Sequence, residues 1–409
     1  MSQKFCSRKK ILILTQWFEP EPTTKGISFA KELKKKGFDI EILTGFPNYP
    51  RGKIYDGYKL KLFQREFIEG IKINRVFLYP SHNNNAVQRA INYISFSITS
   101  LIFGLFMINK PNIIYAYHPP ITVGISALAL KFFFRIPLVY DIQDIWPDTL
   151  IATGMIKNKS ILKLIGFISN LTYRLSDRLV VLSPGFKNLL IKRGVKKSKI
   201  NVIYNWSPIK IKNENIKKII KKDNKNFNIV FAGNIGKAQS LGTIVKVAEI
   251  LLKKESKAKF IIVGDGVDLM ELKNEVNIRK ITNLEFIPRV SQDKISKYLH
   301  LANALLVHLK NEDLFKITIP SKTQAYMAFG KPIIMAVKGD AARLIEKSRS
   351  GITCEPENYK QIAQRIERLI SLEQYQLDIM GNNAAKFYEK NLSFEEGIKK
   401  FTNVFNSLI

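Results

Sequence analysis

The sequence has few cysteines and no long apolar leader. Cys6 and Cys354 are the two cysteines among 409 residues, too few for a disulfide framework and without the paired spacing of a metal site. A reduced, cytoplasmic setting is therefore expected. The apolar run from Ile11 to Leu14 is too short for the hydrophobic region of a signal peptide, and it predicts a buried strand instead.

Acidic residues are also scarce. The chain has 65 Lys and Arg residues against 34 Asp and Glu residues, a formal net charge of +31. This bias indicates an anionic partner, either a nucleic acid or a lipid surface. The sequence shows no helix-turn-helix, zinc-finger spacing or RNP-like aromatic strand. Nucleic-acid binding is therefore the weaker alternative, and no nucleic-acid partner is expected.

Short β-branched runs alternate with helical segments along the chain, which is typical of parallel α/β sheets. The length suggests two or three domains, and the fold class expected is α/β with two Rossmann-like doubly wound domains facing a cleft. Residues 207–226 lose this periodicity and become rich in Lys and Asn, as a linker does. The predicted organisation is a first domain over 1–206, this linker, a second domain over 227–385, and a C-terminal helix over 386–409 that packs back on the first domain.

Residues 320–334 place a Ser-Lys pair at the start of a predicted helix that ends at Gly330 and leads into a strand. A helix N-terminus offers unpaired backbone N–H groups and the positive end of the helix dipole, which together bind phosphate. Ser321 is predicted to cap this helix, and Lys322 adds a formal charge. The alternative is an ordinary capped helix that packs on the sheet.

Two glycine-containing turns follow predicted strands of the same domain. Gly233 and Gly236 come after the strand at 227–231, and residues 264–266 read Gly-Asp-Gly after the strand at 260–263. Each turn alone is a weak signal, since glycine turns link many strands to helices. Because ligands of such sheets bind at the carboxyl ends of the strands, the turns and the Ser-Lys pair together favour a nucleotide site.

These residues resemble a known family. The segments FAGNIG (231–236), VGDG (263–266), PSK (320–322) and YMAFGKP (326–332) look like the nucleotide-sugar domain of family 4 glycosyltransferases of the GT-B fold. In the first half, FEPEP (18–22), TGFPNYP (44–50), DIQDIWPD (141–148) and LSPGFK (182–187) resemble the branch that contains the fucosamine (N-acetylfucosamine) transferases of bacterial surface polysaccharides. The resemblance covers nearly the whole chain.

The resemblance implies transfer of a sugar from a nucleoside diphosphate, UDP in the first instance, with retention of configuration. It implies no cofactor and no metal, because the main tasks are to neutralise the leaving diphosphate and to position the acceptor hydroxyl. It also implies a set of donor contacts at the glycine turns, the Ser-Lys helix and the nucleobase segment. These are Gly26, Gly233, Asn234, Gly236, Gly264, Asp265, Gly266, Arg289, Val290, Pro320, Ser321 and Lys322.

In the first half, the resemblance places His118 near the transferred sugar, although a lone histidine is often structural. Asp144 is interpreted as an acceptor-hydroxyl contact or general base, the alternative being helix capping. Acceptor binding is predicted for four further residues, which are Glu19, Lys25, Trp146 and Asp148.

The sequence departs from the family pattern at three points. Many relatives carry a Glu that binds ribose five residues before the helix-ending glycine, and this chain has Ala325 there. Ser240 replaces a usual glycine after the amide loop. The Glu-x7-Glu pair of more distant members is absent, so the prediction of a donor site depends more on Lys322.

Residues 90–108 are almost continuously apolar and approach the lower length limit for a membrane span. Interspersed Asn, Ser and Thr residues favour a helix half buried on the sheet and half in the lipid interface, flanked by Arg89 and Lys110; a wholly buried core helix is the alternative. Residues 131–135 form a possible second patch. The expected setting is peripheral, at the cytoplasmic face of the inner membrane, with an undecaprenyl-diphosphate-linked saccharide as acceptor. The same fold also hosts nucleotide-sugar epimerases and hydrolases, which would need extra carboxylates.

Overall fold

The computed structural model describes residues 9–81, 86–207, 209 and 225–409, which divide into two compact units. The first unit ends at Ile203 and also includes residues 397–409, and the second runs from Tyr204 to Glu396. The division therefore falls just before residue 206, and most of the predicted linker at 207–226 lies outside the described residues.

The first unit is built on an eight-stranded sheet in the order β3-β4-β2-β1-β5-β6-β7-β8. All neighbouring strands pair in parallel except β3 with β4. The order β4-β2-β1-β5-β6-β7 is that of a Rossmann fold, with its topological switch point between β1 and β5. The strands are β1 Lys10–Thr15, β2 Asp39–Gly45, β3 Phe63–Ile68, β4 Ile71–Val76, β5 Ile113–Tyr117, β6 Leu138–Ile142, β7 Arg178–Val181 and β8 Ile200–Val202.

Helices cover both faces of this sheet, and local capping residues start two of them. Asn158 accepts the backbone N–H groups of Ser160 and Ile161 at the start of α5, and Ser183 accepts that of Phe186 at the start of α6. Side-chain capping of this kind satisfies backbone donors that a helix cannot pair internally. The helices are α1 Ile27–Lys35, α2 Ala86–Met107, α3 Thr122–Phe134, α4 Asp148–Ala152, α5 Lys159–Leu175 and α6 Pro184–Lys192.

The second unit has six parallel strands in the order β11-β10-β9-β12-β13-β14, again that of a Rossmann fold, with the switch point between β9 and β12. Its strands read as nearly continuous apolar runs because both faces of the sheet are covered. The strands are β9 Phe227–Asn234, β10 Ala258–Asp265, β11 Leu284–Ile287, β12 Ala304–His308, β13 Ile333–Ala336 and β14 Gly351–Thr353. The helices are α7 Gly242–Lys253, α8 Leu269–Ile278, α9 Gln292–Leu301, α10 Asp313–Lys316, α11 Ser321–Ala328, α12 Asp340–Ser348, α13 Tyr359–Ile370 and α14 Gln374–Asn391.

A last helix, α15 Phe394–Asn406, carries the chain back to the first unit. The Phe401 ring lies 5.1 Å from that of Phe29 and 5.6 Å from that of Tyr115, in edge-to-face geometry. Phe405 packs in the same way on Phe38. The predicted helix over 386–409 is thus two helices, because α14 extends to Asn391 and ends there, and only α15 contributes to the first unit's core.

Candidate functional site

A cavity of about 550 Å³ opens in the second unit at its switch point, beyond the carboxyl ends of β9 and β12. Its lining combines apolar side chains with a few polar groups, as ligand sites do. Nine of the predicted donor residues line it. They are Gly233, Asn234, Gly264, Asp265, Arg289, Val290, Pro320, Ser321 and Lys322. Gly236 and Gly266 lie in the adjoining turns, whereas Gly26 belongs to the first unit.

Lys322 lies under the glycine turn with its charge held against an aromatic ring. Its Nζ is buried, makes no hydrogen bond among the described residues, and lies 3.4 Å from the centroid of the Phe231 ring. A Cβ at Gly233 would come within 3.0 Å of this Nζ. Burial lowers the pKa of Lys322 to about 7, while the ring face attracts the ammonium form. Near pH 7 the lysine is therefore about half protonated. Its ammonium form has no hydrogen-bond partner among the described residues and can pair with an anion that enters the cavity.

Helix α11 begins at Ser321, and its N-cap is Pro320, with no side chain capping it. The prediction that Ser321 caps this helix is therefore wrong: Ser321 is the first helical residue, and its side chain is exposed. The side-chain amide of Gln324, oriented with its nitrogen inward, donates to the carbonyls of Pro320 and Ser321 at 3.0 and 2.9 Å. Without a capping side chain, the amino end of α11 is left to interact with an anion. Gly330, with φ of +63°, ends the helix as expected.

The turn after β9 forms another part of the cavity wall, and the buried His308 organises it. His308 Nδ1 lies 2.7 Å from the Gln239 carbonyl, and its Nε2 accepts the Glu357 N–H at 3.2 Å. Because a carbonyl only accepts, the ring is neutral with its proton on Nδ1, and burial lowers the pKa of His308. The Gln239 side chain in turn accepts from the Gly236 N–H and from Asn234 Nδ2, both at 3.2 Å.

This network changes the interpretation of the turn. The Gly236 N–H, predicted to face a ligand, is paired with Gln239. Ser240, which replaces the usual glycine, adopts a left-handed φ of +46° and donates its hydroxyl hydrogen bond to Glu357 at 3.1 Å. His308 and Gln239 were not predicted from the sequence. His308 could have been, because it is a histidine at the carboxyl end of a buried strand.

Gly264 and Gly266 allow close backbone packing. A Cβ at Gly264 would overlap the carbonyl oxygen of Gly233, and one at Gly266 would overlap that of Ile235. These glycines therefore fix the position of the β9 turn, whatever ligand contact they also make. One carboxylate oxygen of Asp265 accepts a hydrogen bond from the Gly266 N–H at 2.8 Å.

Several other residues that line the cavity are apolar. Ala325, at the position where relatives carry a Glu, is 3% exposed and lines the cavity. Beside it the Tyr326 hydroxyl accepts the Ala232 N–H at 2.8 Å and ties α11 to β9. Val290 is half-buried, and the Arg289 side chain is exposed. A flat apolar group fits this end better than a charged one.

In the first unit, His118 follows β5 at the switch point and is almost fully buried. Neither ring nitrogen has a partner among the described residues, and its ring meets those of Tyr140 and Trp146 edge to face. Burial lowers the pKa of His118 to about 3. The imidazole is therefore neutral at physiological pH, with one donor and one acceptor nitrogen.

Asp144 lies on the loop after β6, and its carboxylate makes no hydrogen bond or ion pair with the described residues. Burial raises the pKa of Asp144 to about 6, so the group is mostly ionised at pH 7. Trp146, predicted for acceptor binding, lies between Asp144 and α4 and contacts His118, with ring centroids 5.6 Å apart. The structure thus brings His118 and Trp146 together at the carboxyl edge of the sheet, with Asp144 two residues from Trp146.

The other predicted residues of the first unit are engaged in internal contacts. Glu19 Oε1 accepts the Ile27 N–H at 2.8 Å at the start of α1, and a Cβ at Gly26 would overlap this carboxylate. Lys25 is buried and pairs with Asp141 at 3.0 Å. Asp148 pairs with Arg193 at 2.5 Å. These pairings give Lys25 and Asp148 structural roles, whereas Oε2 of Glu19 is buried without a hydrogen-bond partner among the described residues. An acceptor role for the three residues stays a prediction.

No cluster of three or more potential metal ligands occurs among the described residues. The predicted independence from metals is left to experiment.

Comparison with known proteins assigns both halves. The model of Glycosyltransferase Family 4 matches residues 27–207, and that of Glycosyl transferases group 1 matches residues 212–387. The chain is 24% identical to WcaI of Escherichia coli K12, a glycosyl transferase named for colanic acid biosynthesis, over 96% of this chain and 99% of that protein. It is 25% identical to the glycosyltransferase WbjE of Pseudomonas aeruginosa, over 64% and 66% of the respective chains.

Among solved structures, Anabaena Alr3699/HepE in complex with UDP superposes with a TM-score of 0.66 at 15% identity, covering 98% of this chain and all of that one. At this identity the likeness shows the fold, and it agrees with the two Rossmann-like units described above.

Proposed function

Because the chain belongs to the family 4 glycosyltransferases of the GT-B fold, we propose that it transfers an N-acetylated amino sugar, such as N-acetylfucosamine, from a UDP-linked donor to a lipid-linked saccharide. The reaction belongs to the synthesis of a surface polysaccharide. The name of WcaI supports the pathway class, and the UDP complex of HepE supports the nucleotide.

The cavity of the second unit is the observation that carries the donor half of this proposal. Its volume of about 550 Å³ lies within the usual range of nucleotide-sized sites. The apolar wall at Ala325 and Val290 suits a base and ribose, and Lys322 with the start of α11 suits a diphosphate. The diphosphate draws the Lys322 ammonium off the Phe231 ring, and the charge then stabilises the leaving group.

The first unit supplies the polar groups for the transferred sugar and the attacking hydroxyl. Neutral His118 offers one hydrogen-bond donor and one acceptor to sugar hydroxyls. Asp144, ionised above about pH 6, accepts the hydrogen of the acceptor hydroxyl. Transfer retains the donor's configuration and proceeds without a metal; unchanged turnover in EDTA is the expected check.

The outer surface of the first unit supports a membrane-bound setting. Helix α2 is long and apolar enough to cross a membrane. Its polar residues Asn92, Ser97 and Ser100 are buried against the protein, the reverse of what a surface helix in water shows. Its exposed side is apolar, comprising Val87, Ile91, Ile94, Ile98, Ile102, Phe106 and Met107. This distribution favours a helix that lies in the lipid interface over a wholly buried one.

Two neighbouring helices extend this apolar surface. Phe132 and Phe133 are exposed at the end of α3, in the predicted patch at 131–135, and α5 exposes Ile161, Leu164, Phe167 and Leu171. Exposed lysines and arginines surround them, as anionic lipid requires. They include Lys110, Arg135, Lys157, Lys159 and Lys163. The contribution of α5 to this surface was not predicted from the sequence. We place the protein peripherally, on the cytoplasmic face of the inner membrane.

Binding of a panel of UDP-, GDP- and dTDP-sugars tests the donor half. Saturable binding of UDP and at least one UDP-sugar is expected, with loss of turnover in Lys322→Ala. Equal binding by that variant, or preference for another nucleotide, would contradict the donor assignment.

Flotation with anionic vesicles tests the membrane setting. Ile98→Glu and Leu164→Glu are expected to reduce co-flotation. Ile278→Glu is the control, since Ile278 is also apolar, is more exposed than Ile98 and Leu164, and lies in the second unit. A wild-type protein that stays off phosphatidylglycerol vesicles would overturn the proposed location.

A further inference from the structure

Two aromatic side chains stack at the carboxyl edge of the first sheet. Trp17 follows β1 and Tyr49 follows β2, and their ring centroids are 4.4 Å apart with planes inclined by 21°. Both side chains are half-buried, and the Trp17 indole N–H donates to no described residue. A stacked pair at a strand edge, with a polar atom left over, has the composition of a ligand surface.

A buried carboxylate holds this pair in place. Glu21 is 2% exposed. Its Oε1 accepts the backbone N–H groups of Asn48 and Tyr49, both at 2.7 Å, and its Oε2 accepts that of Phe18 at 3.0 Å. The residue after Trp17 and the residue Tyr49 itself are thus fixed by the same side chain. Such preorganisation lowers the entropy cost of binding.

The pair is also tied to the lipid-facing helix α2. Gln16 donates to Asn92 on α2 at 2.6 Å, and Asn92 donates to Asn48 at 3.3 Å and to the Tyr79 carbonyl at 2.7 Å. Asn92 is buried, one residue after the exposed Ile91. The network therefore runs from the apolar outer face of α2 to the residues adjoining Trp17 and Tyr49.

On the other side of the pair is the switch point. The order β2-β1-β5 places Trp17 between Tyr49 and His118 along the carboxyl edge of the sheet, where ligands of such sheets bind. Two of the residues first predicted to bind the acceptor, Lys25 and Asp148, are held in internal ion pairs. Trp17 and Tyr49, by contrast, are uncharged aromatic residues.

We propose that Trp17 and Tyr49 form a stacking platform for a sugar ring of the acceptor. The apolar face of a pyranose packs on the aromatic pair, its lipid lies along α2, and its reactive hydroxyl points toward the His118 side. This inference rests on the proposed function, since it takes the acceptor to be a lipid-linked saccharide.

The test uses the full chain and short-chain lipid-linked sugars, namely farnesyl-diphosphate-linked N-acetylglucosamine, N-acetylgalactosamine, glucose and galactose. Dissociation constants are measured for these probes and, separately, for UDP. Trp17→Leu and Tyr49→Leu are expected to weaken binding of at least one probe about tenfold, and Trp17→Phe to restore most of it. Phe63→Leu is the matched control, because Phe63 stacks on Phe103 at 5.2 Å in the same unit but on the outermost strand.

UDP affinity distinguishes a failure of the platform from a failure of the donor assignment. All four variants should bind UDP as the wild type does, since the donor cavity belongs to the second unit. Wild-type binding of UDP but of no sugar probe overturns the platform and leaves the donor assignment standing. Wild-type binding of a probe without UDP overturns the donor assignment instead.

A readout on the unmodified protein covers the case in which a variant misfolds. In saturation-transfer NMR, irradiation of the aromatic protons should saturate the ring protons of the bound probe more strongly than its terminal lipid protons. Transfer confined to the lipid, or leucine variants that bind every probe with wild-type affinity, would refute the platform.

Discussion

The proposed contact between Lys322 and a donor diphosphate predicts that UDP binding depends on pH, with a definite sign. In the free protein burial holds the pKa of Lys322 at about 7, because the ammonium lies against Phe231 without a hydrogen-bond partner. A bound diphosphate supplies the missing counter-charge and raises this pKa again. Binding of UDP above neutral pH must therefore take up a proton.

The size of the effect follows from the fraction of lysine that is charged. With a pKa of about 7, roughly one molecule in ten carries the charge at pH 8 and one in a hundred at pH 9. The dissociation constant of UDP should thus rise about tenfold per pH unit above 7, or about 1.4 kcal/mol per unit. The phosphate itself is fully ionised in this range, since its second pKa is about 6.

Calorimetric titration of UDP at pH 7, 8 and 9, in two buffers of different ionisation enthalpy, measures both quantities. Close to one proton should be taken up per UDP at pH 9. Lys322→Gln should bind weakly with no such pH dependence, and Lys322→Arg, charged throughout, should bind without proton uptake.

The lowered pKa of Lys322 also predicts how the stability of the free protein depends on pH. Between pH 7 and the unfolded pKa near 10.5, the unfolded chain binds more protons than the folded one, so stability should increase with pH over that window. Lys322→Met should raise the melting temperature at pH 7 without ligand, because it removes a buried, unpaired charge. A wild-type UDP affinity that is flat from pH 7 to 9, or an unchanged slope in Lys322→Gln, would refute the reasoning.

Three further predictions concern other parts of the second unit. Gly264→Ala should destabilise it by at least about 2 kcal/mol in denaturant unfolding, since a Cβ there overlaps a neighbouring carbonyl; Gly166→Ala, which meets only ordinary contacts, should not, and equal effects would refute the packing argument. His308→Leu should weaken UDP binding at least about fivefold while His308→Asn, which retains a donor toward the Gln239 carbonyl, restores part of it; no difference between the two would exclude the hydrogen-bond role. Cys354, whose thiol pKa burial raises to about 12, should resist thiol reagents at pH 8 until the chain unfolds, and fast labelling of the native protein would contradict its burial.

Much of the fold was predictable because its signals are local. Runs such as Phe227 to Phe231 are apolar at every position, which indicates a parallel strand covered on both faces. Glycines after such strands mark turns at the carboxyl edge, so many of the residues that line the cavity of the second unit could be found from the sequence. The family resemblance is confirmed at the level of the GT-B glycosyltransferases, while the sugar stays a prediction.

The first unit's site was harder to predict because its polar residues are paired over long sequence distances. Lys25 and Asp141 form an ion pair, as do Asp148 and Arg193, and no pattern in the sequence shows which charges are consumed in this way. Trp17 and Tyr49 become neighbours only when β1 and β2 lie side by side. Ser321 failed as a cap because the helix begins one residue earlier than a capping role requires.

The return of α15 to the first unit has a consequence for synthesis on the ribosome. Phe401 and Phe405 complete a core whose other members, Phe29, Phe38 and Tyr115, are translated near the start. At about 5–20 residues per second, this core waits tens of seconds for its last residues. The second unit ends at Glu396 and is therefore fully translated before residues 397–409 of the first. The unit made first is therefore expected to finish last, and a chain stalled before residue 397 should expose the aromatic surface that α15 covers.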